Sequence, residues 1–244
     1  PLTNLAVKFM QNQTMFIAPR VFPILPVNFE SDKYFIYGRD IWRIEDQLRA
    51  NGAVSKEIDY SISSTSYLLE RYSLKKIVTD RLKDNADSPI RPAEDATTAL
   101  MQKLMIRLEK AVADIVQTTT SWTANTSLSG DNKWDTTTAD PIRELDGLRE
   151  AVTLQSGYIP NIVVFSPTTW LKFKNHTNVR SRINPTARDS VTPQIAAGVL
   201  EVDEVLIGRG NINTGAEPTD TITRVYGANI AWLGYRNPSP SIDS

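Results

Sequence analysis

The segment "APRVFPILPV" at residues 18–27 is mostly apolar and carries prolines at positions 19, 23 and 26. Proline lacks a backbone N–H and biases the residue before it away from helical angles. Three prolines in ten residues therefore rule out a helix and disfavour a central strand. An apolar segment that forms neither element has little means of burying itself in its own domain. We predict that residues 1–30 form an arm.

The composition is that of a globular chain. Of the 244 residues, 41% are hydrophobic and 23% charged, and 27 basic against 28 acidic side chains give a net charge of −1. This balance lacks the overall field of a dedicated nucleic-acid binder. The absence of cysteine from the sequence excludes disulfides, thiolate metal sites and cysteine nucleophiles. No apolar run reaches the roughly 18 residues of a membrane span and no signal-peptide pattern is seen, so we expect cytoplasmic synthesis and no membrane partner.

After the arm, apolar and polar residues alternate with a period of two, which indicates a strand. The apolar residues take the even positions Tyr34, Ile36, Trp42, Ile44 and Leu48, and the pattern is interrupted by Gly38, Asp40 and Asp46. Asn51-Gly52 follows, a strong hairpin signal, and alternation resumes over residues 54–62. We predict that the two runs pair as one long hairpin with its tip at Asn51-Gly52.

This hairpin is long for a domain of this size. Arms of about 15 residues reach on the order of 50 Å at about 3.4 Å per residue. A two-stranded ribbon is marginal in water when nothing covers it. The hairpin therefore either folds back on its own domain or lies on a neighbouring subunit, and the pattern alone leaves both open.

Residues 93–118 give the clearest helical pattern, preceded by Pro92 at a position where proline is tolerated. The predicted apolar stripe consists of Leu100, Leu104, Leu108, Val112 and Ile115, widened by Met101, Met105 and Val116.

From Pro141 the pattern changes to helix, strand, helix. "NIVVF" at 161–165 indicates a short buried strand, and the helix after it begins with Ser166 as its cap. A further helix at 192–200 and more strands up to residue 235 complete an α+β domain.

Few groups suit catalysis or metal binding. His176, the only histidine, lies in "FKNHT" without a nucleophile elbow or a paired ligand, and we predict an exposed residue at a helix end. "GRGNINTG" at 208–215 lacks the lysine of a phosphate-binding loop and is predicted to be a turn. Asp131 and Asp135 lack the glycine and glutamate of a calcium loop. We predict no catalytic, cofactor or metal site.

A local basic cluster is the feature best suited to nucleic acid: Lys172, Lys174, His176, Arg180, Arg182 and Arg188. Such clusters gain affinity by releasing phosphate counterions and need no base contacts. The balanced overall charge and the lack of interleaved aromatic residues oppose a dedicated site. A solvated or inter-subunit surface is therefore the favoured interpretation, with DNA contact the alternative.

Arm, long hairpin, long helix and α+β domain, in that order, resemble the major capsid protein of tailed phages. Its fold is named after phage Hong Kong ninety-seven and is shared with encapsulin shells. "LTNLAVKFMQNQTMFIAPRVFPILPV" resembles the N-terminal arm, "SKEIDYSISSTSYLLERYSLKKIVTDR" the returning extended loop and "LMIRLEKAVADIV" the spine helix. "WDTTTADPI", "GYIPNIVVFSPTTWLKFKNHTNV", "PQIAAGVLEVDEVLIG" and "YGANIAWLGYRNPSPS" resemble the axial domain and the return from it. No single segment is a signature of the family, and the resemblance is specific because all of these segments occur in this order.

The resemblance implies a domain organisation. It comprises an N-terminal arm at 1–30, an extended loop at 31–80, a peripheral domain at 81–138 with the spine helix at 93–118, an axial domain at 139–232 and a return to the peripheral domain at 233–244.

The resemblance also implies a function. The chain is expected to be a structural protein, not an enzyme, that assembles as hexamers and pentamers of an icosahedral shell around packaged viral double-stranded DNA. Portal and scaffolding proteins and a decoration protein are expected partners, DNA is bound only non-specifically, and the virion is assembled in the host cytoplasm. The alternatives are an encapsulin-like compartment shell and, in a different class, a monomeric hydrolase or binding module.

Members of this family lay the arm and the extended loop across adjacent subunits, so apolar arm residues are expected to be buried by assembly. The expected inter-subunit contacts are Arg20, Phe22, Ile24, Leu25, Arg39, Trp42, Arg43, Glu45, Arg49, Asn51, Gly52, Lys56, Glu57 and Asp59. The basic cluster is expected to face DNA or a subunit interface.

Overall fold

The structure, a computed structural model, describes residues 11–87, 90–183 and 191–240. The chain divides into two compact units. The described residues up to Ile24 and within Ser73–Pro238 form the first unit, and residues 25–72 with the described residues after Pro238 form the second. The two units are treated separately below.

Within the described residues, the first unit combines helices with two small sheets, whereas the second contains one pair of strands. The helices are α1 (Ala18–Val21), α2 (Asp80–Asp84), α3 (Pro92–Gln117), α4 (Pro141–Ser156), α5 (Pro167–Asn175), α6 (Thr177–Ile183) and α7 (Pro193–Val199). The strands are β1 (Ser31–Tyr37) and β2 (Ile62–Leu68) in the second unit, and β3 (Ile162–Phe165), β4 (Glu204–Ile207), β5 (Asn211–Asn213), β6 (Ile222–Arg224) and β7 (Ala231–Gly234) in the first. Short 3₁₀ turns lie at Gln13–Met15, Arg39–Trp42, Thr119–Ser121 and Gly130–Asn132.

Helix boundaries follow local signals. α4 and α5 each begin with proline, whose missing N–H would have no helical acceptor in the first turn. The Asp140 carboxylate and the Ser166 hydroxyl accept N–H bonds from the first turns of these helices. α4 ends at Gly157, whose φ of 75° suits glycine. The predicted Ser166 cap is confirmed.

A three-stranded sheet lies at the centre of the first unit, with strand order β4-β3-β7. β3 pairs parallel with β4 and antiparallel with β7. All four residues of β3 are buried, so this strand is covered on both faces. The buried strand predicted from "NIVVF" is confirmed, and the unit combines helices with a mixed sheet.

One face of the sheet packs against α4, α5, α6 and α7. Val163 and Phe165 of β3 point into this layer together with Val205 of β4. The Phe165 ring lies 5.2 Å from that of Phe173 on α5 and 6.3 Å from that of Trp134. Aromatic rings at these separations fill volume and gain from edge and offset contacts.

The opposite face packs against α1 and α3. Ile162 and Val164 of β3 lie in one buried cluster with the α1 side chains Ala18 and Val21 and with Ile17 just before them. From α3 the cluster receives Val112, Ala113 and Val116. The N-terminal segment is therefore part of the hydrophobic core of its own unit.

The prediction that the proline-rich segment 18–27 contains no helix was wrong for its first four residues. Residues 18–21 form a helical turn that tolerates Pro19, because proline stands in the first turn, where its N–H is not needed. Phe22 is half-buried, with its ring edge-on to Trp232 at 5.8 Å. Ile24 and Leu25, after Pro23, are exposed. Phe22 therefore packs against its own unit, and its contact with a neighbouring subunit stays a prediction.

α3 starts and ends within one residue of the predicted range, but its buried face differs from the predicted stripe. The residues that are buried are Ala96, Glu109, Val112, Ala113 and Val116. Met101, Leu108 and Ile115 lie at seven-residue intervals on an exposed face. The helix thus has one covered and one uncovered apolar side, because only one side faces the sheet.

In the second unit, β1 and β2 pair antiparallel, from Ser31 opposite Leu68 to Tyr37 opposite Ile62. The ladder ends there, so the prediction of pairing up to residues 48 and 54 was wrong. A ladder continued in this register would turn between Arg49 and Ala50, whereas the observed turn bonds the Ala53 N–H to the Ala50 carbonyl.

The first arm is therefore four residues longer than the second. The 3₁₀ turn Arg39–Trp42, which lies in the first arm alone, takes up this excess. It falls where Gly38 and Asp40 interrupt the alternation in the sequence.

We predict that Ile17→Ala lowers the free energy of unfolding by about 2–5 kcal/mol, because it opens a cavity between the sheet and α3. The matched control is Ile24→Ala: Ile17 is 2% exposed and Ile24 is 74% exposed. The control should change stability by less than about 0.5 kcal/mol. Urea unfolding of the unassembled chain measures both, and equal effects would show that the arm does not belong to the core.

Candidate assembly surface

Residues 25–72, all of which the structure describes, contain no buried side chain. Their exposed large apolar residues are Leu25, Phe29, Tyr34, Phe35, Ile36, Tyr37, Ile41, Trp42, Ile44, Leu48, Val54, Ile58, Tyr60, Ile62, Leu68, Leu69 and Tyr72. Exposed apolar side chains in this number within one short unit indicate an interaction site. A two-stranded ribbon has no third layer that could cover it.

The hairpin bulge, residues 39–43, is ordered by side-chain contacts. The Asp40 carboxylate accepts the Ser61 hydroxyl and lies 3.3 Å from the Arg43 guanidinium. The Ser61 hydrogen bond and then the Arg43 charge lower the pKa of Asp40. The Arg39 guanidinium lies over the Trp42 ring, 5.9 Å from its centroid. The bulge thus presents the exposed Trp42 ring with the Arg39 cation over it, and Trp and Arg are both common at interaction hot spots.

The tip of the hairpin is held by polar contacts instead of a ladder. Asn51-Gly52 forms the predicted turn, with Gly52 at a φ of 82°. Lys56 pairs with Asp46 across the two arms and lowers the pKa of Asp46. Arg49 donates to the Ser55 hydroxyl at 3.4 Å.

The remaining predicted hairpin contacts are Glu45, Glu57 and Asp59, which are all exposed. These charged positions are therefore accessible, as the apolar side chains of the same unit are.

The arm residues predicted as inter-subunit contacts separate into two groups. Arg20 forms an ion pair with Glu204, and its carbonyl accepts a hydrogen bond from Arg236. Like Phe22, it is thus engaged within its own unit. Ile24 and Leu25 remain available for a neighbour.

Sequence reasoning missed Glu109, whose side chain is fully buried in the middle of α3. Its Oε2 accepts the backbone N–H groups of Ile17 at 2.9 Å and of Ala18 at 2.8 Å. These N–H groups belong to the start of α1, where no helical carbonyl can accept them. The signal lay in the helical spacing, since Glu109 is the one charged residue on the face that carries Val112 and Val116.

Two buried polar atoms near this contact lack hydrogen-bond partners among the described residues: Oε1 of Glu109 and the hydroxyl of Tyr226. Burial raises the pKa of Glu109, and the two N–H bonds oppose this shift without cancelling it. Burial, and then the nearby charge of Glu109, raise the pKa of Tyr226. Relative to water, the site therefore shifts both groups towards their neutral forms.

The glycine-rich segment 208–215 has a packing role. A Cβ on Gly208 would lie 2.1 Å from the Tyr226 ring, so only glycine fits there without movement. Gly208 and Gly210 lie in the connection from β4 to β5, and Gly215 in that from β5 to β6. The prediction that 208–215 is a turn was wrong for Asn211–Asn213, which form β5 and pair with β6.

His176 does lie at the end of α5, but the predicted exposure was wrong, because it is buried. Its Nδ1 accepts the Asn178 N–H at 3.2 Å, so the proton of the neutral ring is on Nε2, which donates to the Thr136 carbonyl at 2.9 Å. These contacts connect α6 and the loop before α4. The residue has a structural role.

The basic cluster is partly neutralised by acidic neighbours. Lys172 lies 3.4 Å from Asp135, and Arg182 lies 3.4 Å from Asp140. Lys174 and Arg180 form no ion pair within the part of the chain that the structure describes. Arg188 lies outside the described residues.

Over ranges 11–87, 90–183 and 191–240, no group of His, Asp or Glu side chains is arranged to hold a metal ion. None of the helices in these ranges has the length and apolar character needed to cross a bilayer.

Comparisons with known proteins give one consistent result. Residues 64–221 match the family described as phage major capsid protein E. A major capsid protein of Burkholderia phage BcepMu is 25% identical over 232 residues, which cover 94% of this chain and 73% of the relative. The crystal structure of a phage-related protein from Bordetella bronchiseptica RB50 is similar with a TM-score of 0.71 and 24% identity, covering 96% of this chain and 77% of that one. This structural similarity shows the fold of the chain.

We predict that Gly208→Ala destabilises the first unit by about 1–3 kcal/mol, because the new methyl group overlaps the buried Tyr226 ring. The matched control is Gly147→Ala in α4, where a Cβ meets nothing within 4 Å. The control should raise stability by about 0.5–1 kcal/mol, since alanine favours a helix over glycine. Thermal unfolding of both variants tests this, and a neutral Gly208→Ala would contradict the packing role.

Proposed function

The chain belongs to the phage major capsid protein E family, and from that premise we propose that its hairpin unit joins copies of it into the icosahedral shell of a phage. The observation that carries this proposal is the uncovered apolar surface of residues 25–72. A folded unit with no buried side chain gains its apolar stabilisation when a second molecule covers it, at roughly 25 cal/mol per Å² buried. In a shell, every copy of the chain has a neighbouring copy that can cover this surface.

The proposal assigns parts to the fold named after phage Hong Kong ninety-seven. The hairpin at 31–80 is the extended loop, α3 is the spine helix of a peripheral domain at 81–138, residues 139–232 are the axial domain, and 233–244 return to the peripheral domain. The arm at 1–30 needs one revision. Its residues 16–22 cover the sheet, so Ile24 and Leu25 remain as its inter-subunit contacts.

The hairpin contacts are Arg39, Trp42, Arg43, Glu45, Arg49, Asn51, Gly52, Lys56, Glu57 and Asp59. The bulge residues Trp42 and Arg43 supply the anchor, because a partly exposed Trp beside Arg combines apolar area with directional hydrogen bonds. The charged residues set register and partner orientation more than affinity.

The shell so formed encloses packaged double-stranded DNA and becomes part of the virion after assembly in the host cytoplasm. Hexamers and pentamers of the chain tile it, with portal, scaffolding and decoration proteins as further partners. Contact with DNA is non-specific. Lys174 and Arg180 suit it best among the described cations of the basic cluster, because Lys172 and Arg182 already face carboxylates.

The role is structural and needs no catalysis. The one histidine of the chain is used in packing, and Glu109 is bonded to the arm backbone. Family membership favours a phage shell over an encapsulin-like compartment. A monomeric hydrolase or binding module would leave the surface of residues 25–72 without a partner.

We predict that replacing residues 39–60 by a short Gly-Ser linker abolishes shells but not folding. The ladder from Ser31–Leu68 to Tyr37–Ile62 stays closed, and no core side chain of the first unit is removed. A cooperative thermal transition and a monomer in size-exclusion chromatography are expected, with no closed particles by electron microscopy. Particles like those of the parent would contradict the assembly role.

Point variants give a milder version of the same test. Ile44→Ser combined with Leu48→Ser removes two exposed apolar side chains from one arm and should raise the concentration needed for assembly. Gln47→Ser between them is the matched control and should assemble as the parent does. Light scattering against protein concentration measures the difference.

A further inference from the structure

Asn51 is the one asparagine of the sequence that a glycine follows. Asn51 and Gly52 are the two central residues of the turn at the hairpin tip, which the Ala53 N–H closes on the Ala50 carbonyl at 3.1 Å. Both central residues are exposed, and a Cβ built on Gly52 would meet no atom beyond its chain neighbours within 4 Å. The peptide unit between them is therefore open to water.

Hydrogen bonding separates Asn51 from most other asparagines. Within the part of the chain that the structure describes, neither the Asn51 side chain nor the Gly52 N–H forms a hydrogen bond. At Asn132 and Asn175, the N–H of the next residue is bonded to a backbone carbonyl. The asparagines whose side chains are bonded are Asn12, Asn85, Asn125, Asn161, Asn178, Asn211, Asn213 and Asn229.

Asn28 is the internal comparison for Asn51. It is also exposed and forms no side-chain hydrogen bond within the described ranges, but Phe29 follows it. A side chain at the following position crowds the approach of its backbone nitrogen to the asparagine and restricts the backbone angles. Glycine has no Cβ and imposes neither restriction. The two sites therefore differ in how easily the next backbone nitrogen reaches the asparagine side chain.

We propose that Asn51 is a self-modification site, at which the unassembled chain converts its own asparagine to aspartate and isoaspartate. The Gly52 backbone nitrogen gives up its proton to water or hydroxide and attacks Cγ of Asn51, which closes a five-membered succinimide ring. The bond from Cγ to the side-chain nitrogen breaks, and ammonia leaves with a proton from water. Because the two reacting atoms belong to neighbouring residues, the attack is intramolecular and is favoured over direct attack of water on the amide.

Water then opens the ring at one of two carbonyl carbons. Addition at Cγ breaks its new bond to the Gly52 nitrogen and leaves aspartate in a normal backbone. Addition at the backbone carbonyl carbon of Asn51 breaks the original peptide bond and leaves isoaspartate, in which the chain runs through Cγ. In total one water is consumed and one ammonia is released, and no electron is transferred. Either product replaces a neutral amide by a carboxylate.

The hairpin leaves the turn free to reach the geometry of ring closure. The ladder between β1 and β2 ends well before the tip, and Lys56 and Arg49 connect the two arms beside it through side chains. Rotation of the backbone at Asn51 breaks at most the turn bond donated by Ala53. The same rotation at Asn161, whose N–H is bonded to the carbonyl of a β7 residue, would disturb the end of the sheet.

The modification alters a proposed contact between copies, and this consequence rests on the proposed function. Aspartate adds a negative charge to the tip, and isoaspartate also lengthens the backbone by one carbon atom. A tip covered by a neighbouring copy has less access to water. Assembly should therefore protect Asn51, and modification before assembly should hinder it.

The test follows the unassembled chain over days at neutral pH. Trypsin cleaves after Arg20, Lys33, Arg49 and Lys56, so peptides 21–33 and 50–56 each contain one asparagine. Peptide 50–56 should gain the mass of an amide-to-acid exchange and separate into two products of equal mass. Its rate should exceed that of peptide 21–33 at least about tenfold, which corresponds to a barrier lower by about 1.4 kcal/mol. Digestion of fresh protein corrects for modification during the procedure.

The matched variant exchanges the two residues, Asn51→Gly with Gly52→Asn, and keeps the composition. Position 52 has a positive φ, which asparagine tolerates at this place in a turn. The next N–H then belongs to Ala53 and is bonded to the Ala50 carbonyl. Modification should slow at least about tenfold. Equal rates in the parent and this variant would overturn the proposal, as would equal rates at peptides 50–56 and 21–33 of the parent.

Light scattering of fresh and aged protein measures the consequence for assembly. The aged parent should need a higher concentration to form particles than the fresh parent, whereas the exchanged variant should assemble alike before and after ageing. Peptide 50–56 should also be modified more slowly in particles than in the free chain. Equal assembly of fresh and aged parent would overturn the effect on assembly. A parent that never forms particles would contradict the proposed function, and the peptide time course then decides on the modification site alone.

Discussion

The fold depends on covering a three-stranded sheet on both faces. β3 has no polar side chain on either side, so exposure of either face would place Ile162 and Val164, or Val163 and Phe165, in water. Four helices cover one face. The other is covered by α3 and by a single helical turn from the N-terminus, far away in sequence. The first unit is closed only when its first described residues are in place.

That second face also contains the polar contact on which its closure depends. A four-residue helix such as α1 satisfies few of its own backbone groups, so its N–H groups need acceptors from elsewhere. Glu109 supplies them from inside the core, and Gly208 makes room for the Tyr226 ring beside it. The apolar cover and the buried carboxyl therefore depend on each other, because the segment that covers the sheet is also the one whose N–H groups Glu109 accepts.

The sequence predicts the periodic elements of this protein well and the long-range contacts poorly. α3, β3 and the Ser166 cap follow from periodicity and capping chemistry, which act over a few residues. The position of Phe22 against Trp232 does not, because no local pattern specifies which element covers an apolar segment. The prediction made the hairpin ladder too long for a related reason. An insertion of four residues is even in number and keeps the period of two, so the alternation in the sequence cannot reveal the bulge at 39–43.

The two units distribute the same kinds of residue in opposite ways. In the first, apolar side chains converge on the sheet; in residues 25–72 of the second, every large one is at least partly exposed. An average hydrophobic content of 41% conceals this difference. A chain arranged in this way has the hydrophobic core that stabilises its fold in the first unit and leaves the apolar side chains of residues 25–72 uncovered. Substitutions in the sheet and its two covers therefore act on folding, whereas the proposed function expects substitutions in the hairpin to act on contacts between copies.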